Sequence, residues 1–155
     1  MKWILLMLLL TSQFSCTEPE SNNISIARNY FENLFRKGDF ASIKTQIKEN
    51  AIYNQAPGLP YGGTYKGFEN WMTMFSKVQD YFSIEIVDNP VLYSNPENDK
   101  VTAVFTIKFK SKTSNRELVM PISELLEFEN GKIAKITPFY FDTKALVEFI
   151  AASEN

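Results

Sequence analysis

The hydrophobic period of this chain changes once, near residue 82, and that change restricts the fold more than any other feature. Before it, apolar residues recur at three- and four-residue spacing; after it, they run in long stretches broken by turn residues. On the helical side, Ile24, Ala27, Tyr30, Phe31, Leu34 and Phe35 form one stripe that ends at Gly38. Asp39 stands where a cap opens a short second helix carrying Ile43 and Ile47. A short strand over 51–55 precedes a breaker-rich loop from Pro57 to Gly63. A third helix follows Gly67, with Phe68, Trp71, Met72, Phe75 and Val78 on one face. On the strand side, 82–93, 101–110, 117–129 and 132–141 read as consecutive antiparallel strands, and a last helix runs from Thr143 to Ala152. Asn130-Gly131, between two apolar runs, is a tight-hairpin signal. Helices followed by a long meander predict an α+β fold, a single domain with helices packed on one face of an antiparallel sheet. In the third long strand Val119, Pro121 and Leu125 make the opposite face apolar as well, which predicts a homodimer.

Composition narrows the chemistry. The 155 residues include no histidine, which excludes His-dependent triads, His metal sites and a His acid–base pair. A formal net charge of −2 with no basic stripe gives nucleic acid no footprint. Thirteen phenylalanines and seven tyrosines require a largely aromatic interior. At the N-terminus, Lys2 precedes an unbroken apolar run from Trp3 to Leu10, long enough for a signal core and too short to span a bilayer. The only cysteine, Cys16, follows Ser15. This arrangement resembles a bacterial lipoprotein signal, with Gln13 standing where that pattern prefers Leu. It implies a signal peptide over 1–15, a lipidated Cys16 opening a polar tether over 16–23, and a domain over 24–152 exported to the cell envelope and held at a membrane.

Several further stretches share one pattern. They are Tyr30-Phe31 with Leu34 and Gly38-Asp39, then Gly63-Thr64-Tyr65-Lys66-Gly67, then Phe105-Thr106-Ile107. The runs 128–133 and 138–142 complete it. In this order and spacing they resemble the SnoaL-like and ketosteroid-isomerase-like group of the nuclear transport factor 2-like superfamily, from Ala27 to Asp142. The resemblance implies a curved sheet wrapped as a cone around helices, an internal pocket and frequent dimers. It also permits a test for catalytic groups. The isomerase base falls on Gln55, its tyrosine on Phe31 and its protonated acid on Ser123, so all three groups are replaced. The Arg and Asp of epoxide hydrolases with this fold fall on Pro121 and Ser123.

With Ser123 taken as inward, strand alternation turns Val119, Pro121 and Leu125 inward and sends Glu124 to the outer face. The same parity gives a pocket lined by Tyr53, Gln55, Phe105, Ile107, Ser123 and Tyr140, with Trp71, Met72 and Phe75 at its mouth. Phe109, Ile136 and Pro138 share that inward parity. Such a lining suits a small apolar molecule, or it simply fills a core. Asp142 is the one candidate catalytic carboxylate, and its place before the last helix equally suits an N-cap. Tyr61 and Tyr65 stand in or beside the Pro/Gly loop, either gating the pocket or exposed. No cofactor and no metal is expected. The functional expectation is a lipid-anchored protein binding a small apolar ligand without the known isomerase groups. A divergent isomerase, hydratase or cyclase using Asp142 or a tyrosine, and a protein-interaction module, are the alternatives. Cys16→Ala is expected to release the protein from the membrane fraction; unchanged fractionation would refute the anchor.

Overall fold

The computed structural model describes residues 22–94 and 97–152. The segment read as a signal, Cys16, most of the expected tether, and Asn95 and Pro96 lie outside the described residues. Helix α1 (Asn22–Glu32) starts two residues before the apolar stripe and buries Ala27, Tyr30 and Phe31. It continues into a π-helical turn over Asn33–Lys37, which Gly38 closes in the left-handed conformation that a glycine adopts without strain (φ 64). Asp39 then caps α2 (Phe40–Gln46), its side chain accepting from the Ser42 backbone N–H at 3.0 Å and the Ser42 hydroxyl at 2.6 Å. These two bonds hold its carboxyl below the usual range. Helix α3 (Phe68–Tyr81) buries Trp71, Met74 and Val78, and α4 (Thr143–Ala151) closes the chain.

The strands are β1 (Ile47–Gln55), β2 (Gly63–Lys66), β3 (Phe82–Ile86), β4 (Val91–Ser94), β5 (Lys100–Ser111), β6 (Glu117–Glu129) and β7 (Lys132–Tyr140). They form one sheet in the order β2-β1-β7-β6-β5-β3, with β4 beside β3 on the same edge of β5. The β6–β7 hairpin turns at Asn130 (φ 52) and Gly131 (φ 71), the two positive φ values a type I′ turn demands. Register shifts in β1–β7 and β6–β7 bend the sheet. Its concave face holds α1, α3 and the aromatic core; this is the expected α+β architecture.

Three details differ from the sequence reading. Ile47 opens β1 rather than closing the second helix. The 63–66 segment pairs with β1, and β1 itself pairs parallel to β7, so the sheet is mixed. The expected strand over 82–93 is two strands, because 88–90 leaves the ladder after a last bond from the Val87 N–H to the Thr106 carbonyl. Asp88 stabilises that departure by taking the Thr106 backbone N–H at 2.7 Å and its hydroxyl at 2.9 Å. On the convex face Val91, Val104, Ser123 and Phe139 lie in cross-strand register. Val91, Val104 and Phe139 are exposed there, as is Val119.

Candidate functional site

Inside the cone lies a cavity of about 40 Å³, room for a few waters. Strand β1 contributes Tyr53 and Gln55, β5 contributes Phe105 and Ile107, and β7 contributes Tyr140. Helix α3 contributes Trp71 and Phe75, stacked at 5.9 Å between ring centroids. Seven of the eight residues assigned to the pocket from sequence therefore converge on it, with Phe109 beside them. Met72 is half-buried and is not part of this lining.

The eighth, Ser123, does not. The inward row of β6 is Met120, Ile122, Glu124, Leu126 and Phe128, all buried. Ser123, Val119 and Pro121 stand on the opposite, convex face, and the expected parity of this strand is reversed. Glu124, expected outside, projects into the cavity at 4% exposure. Its cross-strand neighbours are Ala103 on β5 and Pro138 on β7, and neither side chain can hydrogen-bond to it. The Tyr53 hydroxyl supplies one hydrogen bond to the carboxyl, and Oε2 has no partner. Burial raises the Glu124 pKa to about 7, the Tyr53 bond only partly opposing it.

Three tyrosines, Tyr30, Tyr53 and Tyr140, surround this carboxyl, and a fourth, Tyr61, lies beside Tyr140. Tyr30, from α1, is fully buried with an unpartnered hydroxyl. Burial pushes Tyr30 and Tyr53 well above the ordinary phenol range, and the nearby Glu124 charge adds to it. Burial also raises Tyr140 and Tyr61. Gln55 hydrogen-bonds Tyr140, while the Tyr61 hydroxyl lies beside that of Tyr140 without reaching full hydrogen-bond geometry. All four tyrosines are neutral donors near pH 7, so among these groups Glu124 alone titrates there. Tyr61 is buried against Phe82, and Tyr65 donates to the Tyr61 carbonyl at 2.9 Å, so these two brace the loop.

Asp142 resolves as a cap. It is exposed, absent from the cavity wall, and accepts from the Ala145 backbone N–H at 2.8 Å. The catalytic role considered for it is withdrawn. Among the described residues, no group of three His, Cys, Asp or Glu is placed to hold a metal ion.

The SnoaL-like domain model matches residues 27–136, and the chain belongs to that family. Its fold is that of an NTF2-like protein of unknown function from Burkholderia pseudomallei K96243 (TM-score 0.75, 18% identity, 84% of this chain and 98% of that one). A putative polyketide cyclase from Xanthomonas campestris pv. campestris is also similar (TM-score 0.69, 19% identity, 85% and 96% covered). So is TerC, crystallised with polyporic acid (TM-score 0.74, 17% identity, 84% and 99% covered). No curated protein sequence matches the chain.

The Glu124 environment fixes a pH dependence. The folded carboxyl holds its proton up to about pH 7, whereas the unfolded one releases it near 4.5. Between these values the folded state binds more protons, so stability falls as pH rises. The loss amounts to about 3 kcal/mol at pH 8, from 1.36 kcal/mol per pKa unit. Glu124→Gln is expected to remove this slope and to raise the thermal midpoint at pH 8 but not at pH 4. Asp142→Ala should instead cost about 1 kcal/mol at pH 6 and pH 8 alike, as a lost cap does. Parallel melting curves for wild type and Glu124→Gln across pH 4–8 would refute the assignment.

Proposed function

We propose that this domain takes a small, largely apolar carbonyl compound into the cone, where Glu124 acts as general base and then general acid. The observation that carries the reading is the fully buried Glu124 carboxyl, one oxygen unpartnered, facing an aromatic cavity. A buried unpaired polar atom costs stability, and a carboxyl poised near neutrality is what proton transfer requires. In the proposed step the Glu124 carboxylate removes a proton from the carbon beside the carbonyl, leaving an enolate. The unpartnered Tyr30 hydroxyl donates a hydrogen bond to the enolate oxygen while Tyr53 keeps its bond to the carboxyl, and the glutamic acid returns the proton to carbon. The name of one structural neighbour, a putative polyketide cyclase, is compatible with chemistry of this class.

The probe is 2-tetralone, a flat ketone with exchangeable α-protons, in deuterated buffer. Wild-type protein is expected to accelerate deuterium uptake, with a rate that rises through pH 7 as Glu124 ionises. Glu124→Gln should abolish the acceleration and Asp142→Asn should keep it. A wild-type rate equal to that of protein-free buffer would sink the acid–base reading.

We further propose that the domain works in the bacterial cell envelope, tethered through a lipid on Cys16, as a homodimer joined by its convex sheet face. The exposed apolar row through Val91, Val104 and Phe139 supports the pairing. Val104→Lys is expected to convert a sedimenting dimer to a monomer with unchanged circular dichroism. A wild-type monomer across the concentration range would count against the pairing.

A further inference from the structure

The inner cavity is too small for a ring compound, but it does not stand alone. A second cavity of about 260 Å³ opens between the helical layer and the 88–90 excursion. Phe35, on the π-helical turn, lines both spaces. On β3, Ile84 lines the inner cavity and Ile86, two residues along the same face, lines the outer one. The partition is therefore thin, one half-buried aromatic ring stacked on Phe31 at 6.2 Å and tilted against Phe105 at 5.9 Å. Turning that ring would connect the inner cavity to the outer one, whose volume alone approaches that of small-molecule sites. A π-helical turn at this point accords with the tendency of such turns to sit at functional sites.

The outer cavity differs from the inner one in charge. Its wall carries Arg28, Glu32 and Arg36, spaced four apart along the helical segment, above an apolar floor that includes Ile86 and Leu92. Two arginines and one glutamate line this spot, whereas the one charged residue of the inner lining is Glu124. Arg36 is held in place: its Nε lies 3.4 Å from the Glu32 carboxylate, and its Nη2 donates to the Asn89 side chain. Those contacts engage two of the five N–H donors of a guanidinium, whose geometry suits a carboxylate. Asn89 is delivered by the same excursion that Asp88 anchors.

Resting on the reading of Glu124 above, we propose that the compound taken up is an amphipathic anion. Its flat apolar body passes Phe35 toward Glu124, and its carboxylate or comparable group rests on Arg28 and Arg36. The pocket then sorts compounds by charge at one end and by apolar shape at the other.

Two probes with the same ring body separate these terms: 1-anilinonaphthalene-8-sulfonate, an anion, and N-phenyl-1-naphthylamine, which is neutral. Full-length protein carrying Trp3→Phe leaves Trp71, in the cavity wall, as the sole tryptophan and reports occupancy by its emission. The anion is expected to bind at least about tenfold more tightly than the neutral probe at low salt, and both should quench Trp71. Arg28→Gln with Arg36→Gln should erase that preference while keeping affinity for the neutral probe. Glu32→Gln should widen the preference, and Phe35→Ala should tighten both probes. Equal affinities in wild type, or a preference that survives loss of both arginines, would overturn the anion subsite and leave the Glu124 chemistry standing. No Trp71 response to either probe would overturn both.

Discussion

Eleven consecutive residue pairs join β5 to β6, from Lys100 opposite Glu127 to Lys110 opposite Glu117, with no interruption. A slip of one residue in either strand would turn its whole inward row out, so this ladder decides which side chains meet inside the cone. With Phe105 opposite Ile122 and Ile107 opposite Met120, the apolar rows face the helices. Glu124, opposite Ala103, is carried inward by the same register. Met120, Ile122, Leu126 and Phe128 share its parity, and burying each contributes about 1.5–3 kcal/mol. The alternative parity would bury Val119, Pro121, Ser123 and Leu125 beside Glu127 and Glu129. Four large apolar side chains outweigh the roughly 3 kcal/mol that one raised carboxyl costs. The strand accepts the buried acid because the rest of the row requires it.

This balance also explains what could be read from the residues and what could not. Local signals were legible because their physics is local: Asp39 and Asp142 as caps, Gly38 as a helix end, and Asn130-Gly131 as a turn needing two positive φ values. The pocket residues of β1, β5 and β7 were legible because alternation there separates the faces well. Strand β6 is apolar on both faces, so alternation alone left its parity open, and taking Ser123 as inward then sent Glu124 outward. Comparing the two rows would have found it, since the even row holds Leu118, Met120, Ile122, Leu126 and Phe128 while the odd row holds Ser123, Glu127 and Glu129. The parallel pairing of β1 with β7 and the split of the 82–93 strand depend on distant partners, Ile133–Ile136 and Thr106, and no local period records them.

The chemistry available inside the cone follows from the same burial. Tyr30, Tyr53, Tyr61 and Tyr140 keep their protons because desolvation disfavours the phenolate. They can donate hydrogen bonds to a developing oxyanion and cannot act as bases near neutrality. Desolvation acts on Glu124 in the same sense, yet a carboxyl starts several units lower and is brought only to about 7. One environment therefore produces two roles, neutral donors and a titrating acid, from residue types with different starting points.

The unpartnered Glu124 oxygen depends on two neighbouring positions as well as its own. Ala103 and Pro138 flank it across the ladder, and a Ser, Thr or Asn at either place would offer a donor. Pro138 carries a further consequence, because it lacks a backbone N–H. The β1–β7 register reaches Tyr53 and Ile136 and includes no pair beyond them, although β1 runs on to Gln55 and β7 to Tyr140. Gln55 and Tyr140 thus line the inner cavity and also a shallow groove of about 520 Å³ on the far side of the splayed strands. The same substitution that would satisfy the carboxyl at 138 would restore the missing donor at this edge and favour closing the gap. Keeping the acid unpaired and keeping the sheet open at its end are two results of one residue choice.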